Sequence, residues 1–286
     1  MKNVIKKYIP KFVKLILKYT YYFLVDMMEF VLKKRDSLMP PSRMRFDGPK
    51  DALSFKRNGE EFLTYYKELC LLKPDEHILD VGSGIGRKTI PLTKYLQKNG
   101  SYEGFDIIKQ GVDWCEKNIS TKYPHFHFKH VDVYNKEYNP QGKINPSEFK
   151  FPYEDNYFDL VVLGSVFTHM LPADVENYIK EVVRVLKIGG KSLITYFLLD
   201  DEALMLINEK NSKPYSGREL NFRYKRENYR TIDQNLPELA VAYELPFIIN
   251  QYKRNGLEIH DPIYYGSWCG KEKFLGNQDM IVATKT

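Results

Sequence analysis

Cysteine is scarce here and never paired: Cys70, Cys115 and Cys269 stand far apart and form no C-x-x-C motif. That usage suits a reducing compartment and argues against a zinc site. None of the three is placed as a nucleophile, and Cys115 falls on an apolar helix face as a small hydrophobe. Also missing is an uninterrupted apolar run. A spanning helix needs about 20 mainly apolar residues, but Lys14, Lys18, Asp26 and Glu29 break the stretch from Phe12 to Leu32. No small-residue cleavage site follows it, which argues against a removed secretory signal. Internal repeats and low-complexity tracts are absent as well. The net charge of +6 is confined to one end. Residues 1–35 hold nine Lys or Arg and two acids, which leaves 34 basic and 35 acidic residues of the chain's 43 and 37 for everything after Arg35. A neutral body opposes a strongly salt-dependent grip on nucleic-acid phosphates outside that arm.

What is present begins with the arm. Lys7, Lys11, Lys14 and Lys18 recur at helical spacing while Ile9, Phe12, Val13, Ile16, Phe23, Leu24 and Met27 take other faces. The pattern predicts a basic amphipathic helix with Pro10 near its first turn. Two readings fit it. One is an interfacial helix on an anionic membrane, each surface lysine adding about 1 kcal/mol; the other is a helix that covers the protein's own core or pairs two subunits. Residues 36–51, rich in proline, end the helix and read as a linker or strap, in which Arg43 and Arg45 are candidates for a cofactor or substrate carboxylate. Residues 59–72 read as a helix with Phe62, Tyr65, Tyr66 and Leu69 inward. With 43% hydrophobic and 28% charged residues, a chain of 286 suffices for a globular domain with appendages. The expected division is an arm over 1–35, a strap and lead-in helix over 36–75, and the main domain over 76–286.

The segment His77–Thr89, His-Ile-Leu-Asp-Val-Gly-Ser-Gly-Ile-Gly-Arg-Lys-Thr, is a short apolar strand that ends in an acid and runs into three alternating glycines. Such a loop turns sharply, adopts positive φ and lets a ligand lie against bare backbone at the start of a helix. Asp80 narrows the choice of ligand. A dinucleotide-binding loop brings pyrophosphate close to the backbone. At ~4 Å and an effective dielectric of ~20 a carboxylate repels such a charge by roughly 4 kcal/mol, and the sign reverses for a cofactor with an ammonium group. The spacing also departs from G-x-G-x-x-G, since Arg87 stands where the third glycine would be.

This segment resembles the first motif of the class I S-adenosylmethionine-dependent methyltransferases. The resemblance implies a Rossmann-like α/β fold, with a seven-stranded mostly parallel sheet, helices on both faces and an antiparallel C-terminal edge. It also implies S-adenosyl-L-methionine as cofactor, with Asp80 near the methionine moiety and Gly82, Ser83, Gly84 and Gly86 passing under it. Asp106 ends the next strand 26 residues later, near the spacing at which an acid reaches ribose hydroxyls, and the family gives it that role with Ile107 beside the adenine. At the end of a third strand, Asp132, followed by Val133, corresponds to the family's contact with the adenine amino group. The run Phe158–Gly164 reads as a fourth strand buried on both faces, ending at Gly164, Ser165 and the phrase Phe167-Thr168-His169, which points toward the transferable methyl. Helices are expected over Lys88–Leu96, Lys109–Ile119 and Asp174–Leu186, the last stopped by Gly189 and Gly190, with a fifth strand over Ser192–Leu199. Five strand–helix alternations specify a parallel sheet whose ligands sit at the carboxyl ends of the strands. Beyond Leu199 the match loosens. Residues 200–255 read as a lid insertion with Arg218, Arg223, Arg226 and Arg230 clustered and a helix over Pro237–Lys253, before two closing strands.

Methyl transfer from a sulfonium needs alignment and exclusion of water, and no metal. His169 is the best-placed general base for a hydroxyl acceptor. The Asp/Asn-Pro-Pro-aromatic motif of base-amino methylation is missing after the fourth strand, as is a Pro-Cys, which opposes nucleic acid as substrate. A small-molecule, glycan or lipid-linked acceptor remains, methylated at a hydroxyl oxygen. The expected setting is cytoplasmic, on the inner face of the membrane if the arm binds lipid. A dehydrogenase is opposed by Asp80 and Arg87; a catalytically silent S-adenosylmethionine-binding scaffold stays open. Acceptor and oligomeric state are not legible in the sequence.

Overall fold

The computed structural model describes residues 10–32, 36–46, 48–209 and 219–286. Lys7, Ile9 and Arg218 lie outside the described residues, as do the side chains of Lys11, Lys14 and Lys18. Helix α1 (Lys11–Val31) follows Pro10, whose fixed φ suits a helix start, and α2 (Ala52–Glu68) is capped by Asp51, which accepts from Ser54 N. There follow β1 (His77–Val81), the short α3 (Thr89–Leu92), β2 (Ser101–Asp106), α4 (Lys109–Cys115) with a π-helical turn over Glu116–Ser120, β3 (Phe126–His130), β4 (Phe158–Leu163), α5 (Pro172–Val185) and β5 (Leu186–Tyr196). The rest comprises β6 (Leu198–Leu199), α6 (Asp201–Asn208), β7 (Tyr224–Lys225), β8 (Tyr229–Thr231), β9 (Val241–Glu244), α7 (Leu245–Arg254), β10 (Leu257–Ile259) and β11 (Asp279–Lys285).

Among the described residues the main sheet has seven strands in the order β10-β11-β5-β4-β1-β2-β3. The strands β3, β2, β1, β4 and β5 are parallel, and β11 runs antiparallel between β5 and β10. Successive residues of a strand point to opposite faces, so each apolar strand feeds two cores. Leu79, Val161, Leu163 and Ile194 pack with α5 and α7 on one face, while Ile78, Leu160, Val162 and Leu193 pack with α2, α3 and α4 on the other. Full burial of each such side chain contributes roughly 1.5–3 kcal/mol. The order reverses between β1 and β4, which opens a crevice at their carboxyl ends.

Expected element bounds change in several places: the lead-in helix read over 59–72 runs Ala52–Glu68, and the fifth strand read over Ser192–Leu199 runs Leu186–Tyr196. The helix after the glycine loop is only Thr89–Leu92, ending where Pro91 and Thr93 loosen the turn. Gly189, with φ +77°, does not stop α5; it lies inside β5, where a shift in register against β4 absorbs it. The third strand ends at His130, so Asp132 and Val133 belong to the loop beyond it. Residues 237–253 hold a 3-10 turn and strand β9 before α7 begins at Leu245.

Residues beyond β5 build a second sheet, β6-β9-β8-β7, over a small core that includes Phe197, Leu199, Phe222, Ala242 and Trp268. Asp279 fastens it to the main sheet. Its carboxylate accepts hydrogen bonds from Gly266 N, Leu198 N and Trp268 Nε1 at 2.6–2.8 Å.

The arm and strap are held by two ion pairs. Asp26 accepts from Ser42 N and pairs with Arg43 at 3.1 Å, and Glu29 takes the fully buried Arg45 guanidinium through both oxygens at 3.0 and 2.6 Å. Arg43 and Arg45 therefore anchor α1, and the carboxylates they meet are the protein's own rather than a ligand's. The outward side of α1 is apolar, with Phe12, Ile16, Phe23, Leu24, Met28, Phe30 and Val31 each more than half exposed.

Candidate active site

The loop after β1 takes its shape from its glycines. Gly82, Gly84 and Gly86 have φ of +76°, +60° and +80°, and a Cβ on Gly82 would fall 2.5 Å from Val166 Cγ2. Gly82 N and Ser83 N donate to Phe105 O at 2.9 and 3.1 Å, which ties the loop to β2. Asp106 completes the brace: Oδ2 accepts from Gly84 N and Oδ1 from Ile108 N, each at 2.7 Å.

Asp80 occupies a different position from the one expected. It is buried beneath the loop, where Oδ1 pairs with Lys88 Nζ at 2.9 Å and Oδ2 accepts from Tyr102 OH at 2.9 Å. Burial and the Asp80 charge hold the Tyr102 phenol well above its ordinary range, so it stays protonated and donates. The acid is thus compensated by a lysine and does not line the crevice. Ser83 and Gly86 are likewise internal, with Gly86 packed on Cys115 and Ile119. Asp132 turns toward the loop that follows it, with Oδ1 3.4 Å from Asn139 Nδ2 and its carbonyl accepting from Lys143 N and Ile144 N.

The remaining expected residues meet in one cavity of about 980 Å³. Gly82, Gly84, Asp106, Ile107, Val133, Gly164, Ser165 and His169 all line it. Phe46, Pro49, Phe62 and Tyr65 from the strap and α2 roof it. Ser165 has φ +64°, a strained value for a residue with a side chain, and is held there by Thr195 and Gln278: its N donates to Thr195 Oγ1 at 2.7 Å and its Oγ to Gln278 Oε1 at 2.9 Å. Ligand pockets usually hold about 300–1,000 Å³, so this one lies at the upper end of that range.

After β4, His169 sits on a 3-10 turn over Phe167–His169. Nδ1 lies 2.9 Å from Glu238 O, an acceptor only, so Nδ1 carries the proton and Nε2 the lone pair in the neutral ring. Nε2 faces Tyr138 OH at 3.5 Å, and Glu137 Oε2 stands 3.6 Å from Nδ1. Lys88, Glu137, Tyr138, Glu238 and Gln278 were not legible as site residues, although the length of the loop after β3 pointed to the region that holds two of them. The cysteines are chemically quiet: burial pushes Cys70 up to about 12 and Cys269 up to about 11.

Comparison with known proteins agrees with this geometry. Residues 79–194 match a family model described as a methyltransferase domain. A ubiquinone/menaquinone biosynthesis C-methyltransferase of Wigglesworthia glossinidia brevipalpis is 28% identical over 155 residues, 54% of this chain and 55% of the relative. The chain spans about half the length of the curated relatives it matches. Among solved structures, a Pyrococcus horikoshii OT3 protein aligns with a TM-score of 0.53 at 15% identity, covering 82% of this chain and 92% of its own. A SAM-dependent methyltransferase from Aquifex aeolicus aligns at 0.50 and 16%, covering 87% and 100%. At such identities the structures speak for the fold.

Proposed function

We propose that this chain, whose residues 79–194 match a methyltransferase domain, is a class I S-adenosylmethionine-dependent methyltransferase that methylates a small-molecule or lipid-linked acceptor seated beside His169. One observation carries the reading: Gly82 and Gly84 of the glycine loop, Asp106 and His169 all line one cavity of about 980 Å³. The fit to the cofactor rests on Asp106, which lines the cavity at the end of β2 and whose oxygens accept from Gly84 N and Ile108 N, a carboxylate placed to meet ribose hydroxyls. Ile107 and Val133 offer apolar surface to the adenine, and Gly164 and Ser165 bound the methionine end. When bound, the cofactor supplies a methyl group activated by a cationic sulfonium.

The protein's part is alignment, exclusion of water and proton removal. Phe46, Pro49 and Phe62 cover the crevice. His169, with Nδ1–H committed to the Glu238 carbonyl, presents the Nε2 lone pair to an acceptor hydroxyl and takes its proton as the oxygen becomes nucleophilic. A carbon acceptor is the second reading, favoured by similarity to a relative named as a C-methyltransferase.

The outward apolar side of α1 supports a lipid-linked acceptor, since an exposed apolar strip beside a basic arm suits an anionic bilayer surface. No helix among the described residues is long and apolar enough to cross a membrane. Sedimentation with vesicles containing anionic lipid tests this, and equal binding with and without residues 1–35 overturns it. The catalytic reading is tested by incubating the chain with methyl-labelled cofactor and fractionated cell extract. Label in a polar lipid or small molecule, placed on oxygen or carbon by NMR, supports it; label in RNA or protein refutes it. Cofactor binding with no labelled acceptor favours the silent scaffold.

A further inference from the structure

The acceptor end of the cavity is acidic although the body of the chain is neutral. Glu238 and Asp174 line it, and Glu137 stands beside the His169 imidazole. Glu238 is only 8% exposed, and its Oε2 is buried without a hydrogen-bond partner among the described residues. A carboxylate with no hydrogen bond from the described residues is a candidate acceptor for what fills the cavity it lines. The main-chain carbonyl of the same residue accepts from His169 Nδ1, so Glu238 is tied to the base through its backbone. Asp174 accepts from Leu171 N, which accounts for one of its oxygens. Burial, aided by the neighbouring Glu238 charge, raises the Asp174 carboxyl above its ordinary range, evidence that the two acids feel each other. Among the described residues no three acids or histidines converge as metal ligands do. Tyr134 and Tyr138 also line the cavity and offer aromatic surface to a ring.

Resting on the methyltransferase reading, we propose that Glu238 is a specificity-determining residue: it recognises an acceptor ring bearing a hydroxyl or protonated amino group and rejects rings bearing carboxylate or phosphate at that position. An O–H or N–H donor supplies a hydrogen bond to the Glu238 carboxylate and is attracted by the surrounding acids. An anionic substituent finds a second negative charge in a poorly hydrated pocket.

The test uses the full chain saturated with S-adenosylhomocysteine and three probes that differ in one substituent, benzylamine, benzyl alcohol and benzoate. Binding is followed by NMR titration, with calorimetry reporting S-adenosylhomocysteine affinity. Benzylamine binds best and benzoate at least tenfold more weakly. Glu238→Gln, which keeps the volume and main-chain carbonyl, brings the ratio to within threefold while S-adenosylhomocysteine affinity stays within twofold. Equal affinities in the wild type, a preference for benzoate, binding of none of the probes, or an unchanged ratio in the variant overturns the proposal. Failure of S-adenosylhomocysteine to bind would instead sink the methyltransferase reading on which it rests.

Discussion

Lys88 Nζ lies 2.9 Å from Asp80 Oδ1 with both side chains buried, so the acid at the end of β1 and the first residues after the glycine loop form one neutral unit. Lys88 also reaches Gly82 O at 3.4 Å, and a Cβ on Gly164 would fall 2.8 Å from its Nζ. It therefore joins the carboxyl ends of β1 and β4, between which the crevice opens. Removing one partner of a buried pair strands the other charge at a cost of about 3–5 kcal/mol. Lys88→Met is expected to lower stability by that amount in urea denaturation and to weaken S-adenosylhomocysteine binding. The double variant Lys88→Met with Asp80→Asn should recover more than half of the loss in stability.

Asp106 offers a second test. Alanine there removes the acceptors of Gly84 N and Ile108 N and the lone pairs assigned to ribose. Hydrogen bonds to a charged group are worth about 1.5–3 kcal/mol, so Asp106→Ala should weaken S-adenosylhomocysteine by about 10- to 100-fold in calorimetry. Asp106→Asn, which keeps one acceptor oxygen, should fall between that variant and the wild type.

Much of this architecture is written locally. The strand runs Ile78–Val81 and Leu160–Leu163 are apolar on both faces, and the three glycines have no other plausible use than a tight loop. Lys88 is different, because a lysine opening a helix reads as solvated until the fold buries it against an acid eight residues earlier. Asp80 was legible as an acid at a strand end, but its compensation was not, and an electrostatic argument from its lone charge overstated its direct pull on a cofactor. The surroundings of His169 come from residues 31 and 69 positions away, Tyr138 and Glu238, in segments with no period to betray their contact. Arg45 misled for a related reason: a guanidinium suits a ligand carboxylate and Glu29 equally well.

Asp279 makes stability depend on pH. Burial pushes its carboxyl up to about 7, against three N–H donors and the Lys271 charge. Because the folded value lies above the ordinary one, the native state holds the proton more tightly than the unfolded chain. The contribution is present in full below about 4 and is lost as pH rises toward 7. At about 1.4 kcal/mol per pH unit the loss is on the order of 4 kcal/mol. Asp279→Asn should flatten this part of the profile in denaturation series between pH 4 and 7. It should also lower stability at pH 5 by about 1–3 kcal/mol, since an amide cannot accept from all three donors.

The proton-removal role of His169 separates from cofactor binding. Glutamine there keeps hydrogen-bonding groups but carries no basic nitrogen, and the ring's contacts with Glu238 O and Tyr138 OH are to segments separate from the glycine loop and Asp106. Loss of a general base usually costs about 10²–10⁴ in rate. With the acceptor found by label transfer, His169→Gln should lower the initial rate by that factor while S-adenosylhomocysteine affinity stays within twofold. Tyr138→Phe, which removes only the hydroxyl 3.5 Å from Nε2, should lower it less than tenfold. A His169→Gln rate within threefold of the wild type would mean that the acceptor arrives already nucleophilic. His169 would then be a positioning group for the turn after β4, and the hydroxyl assignment would give way to an acceptor that needs no base.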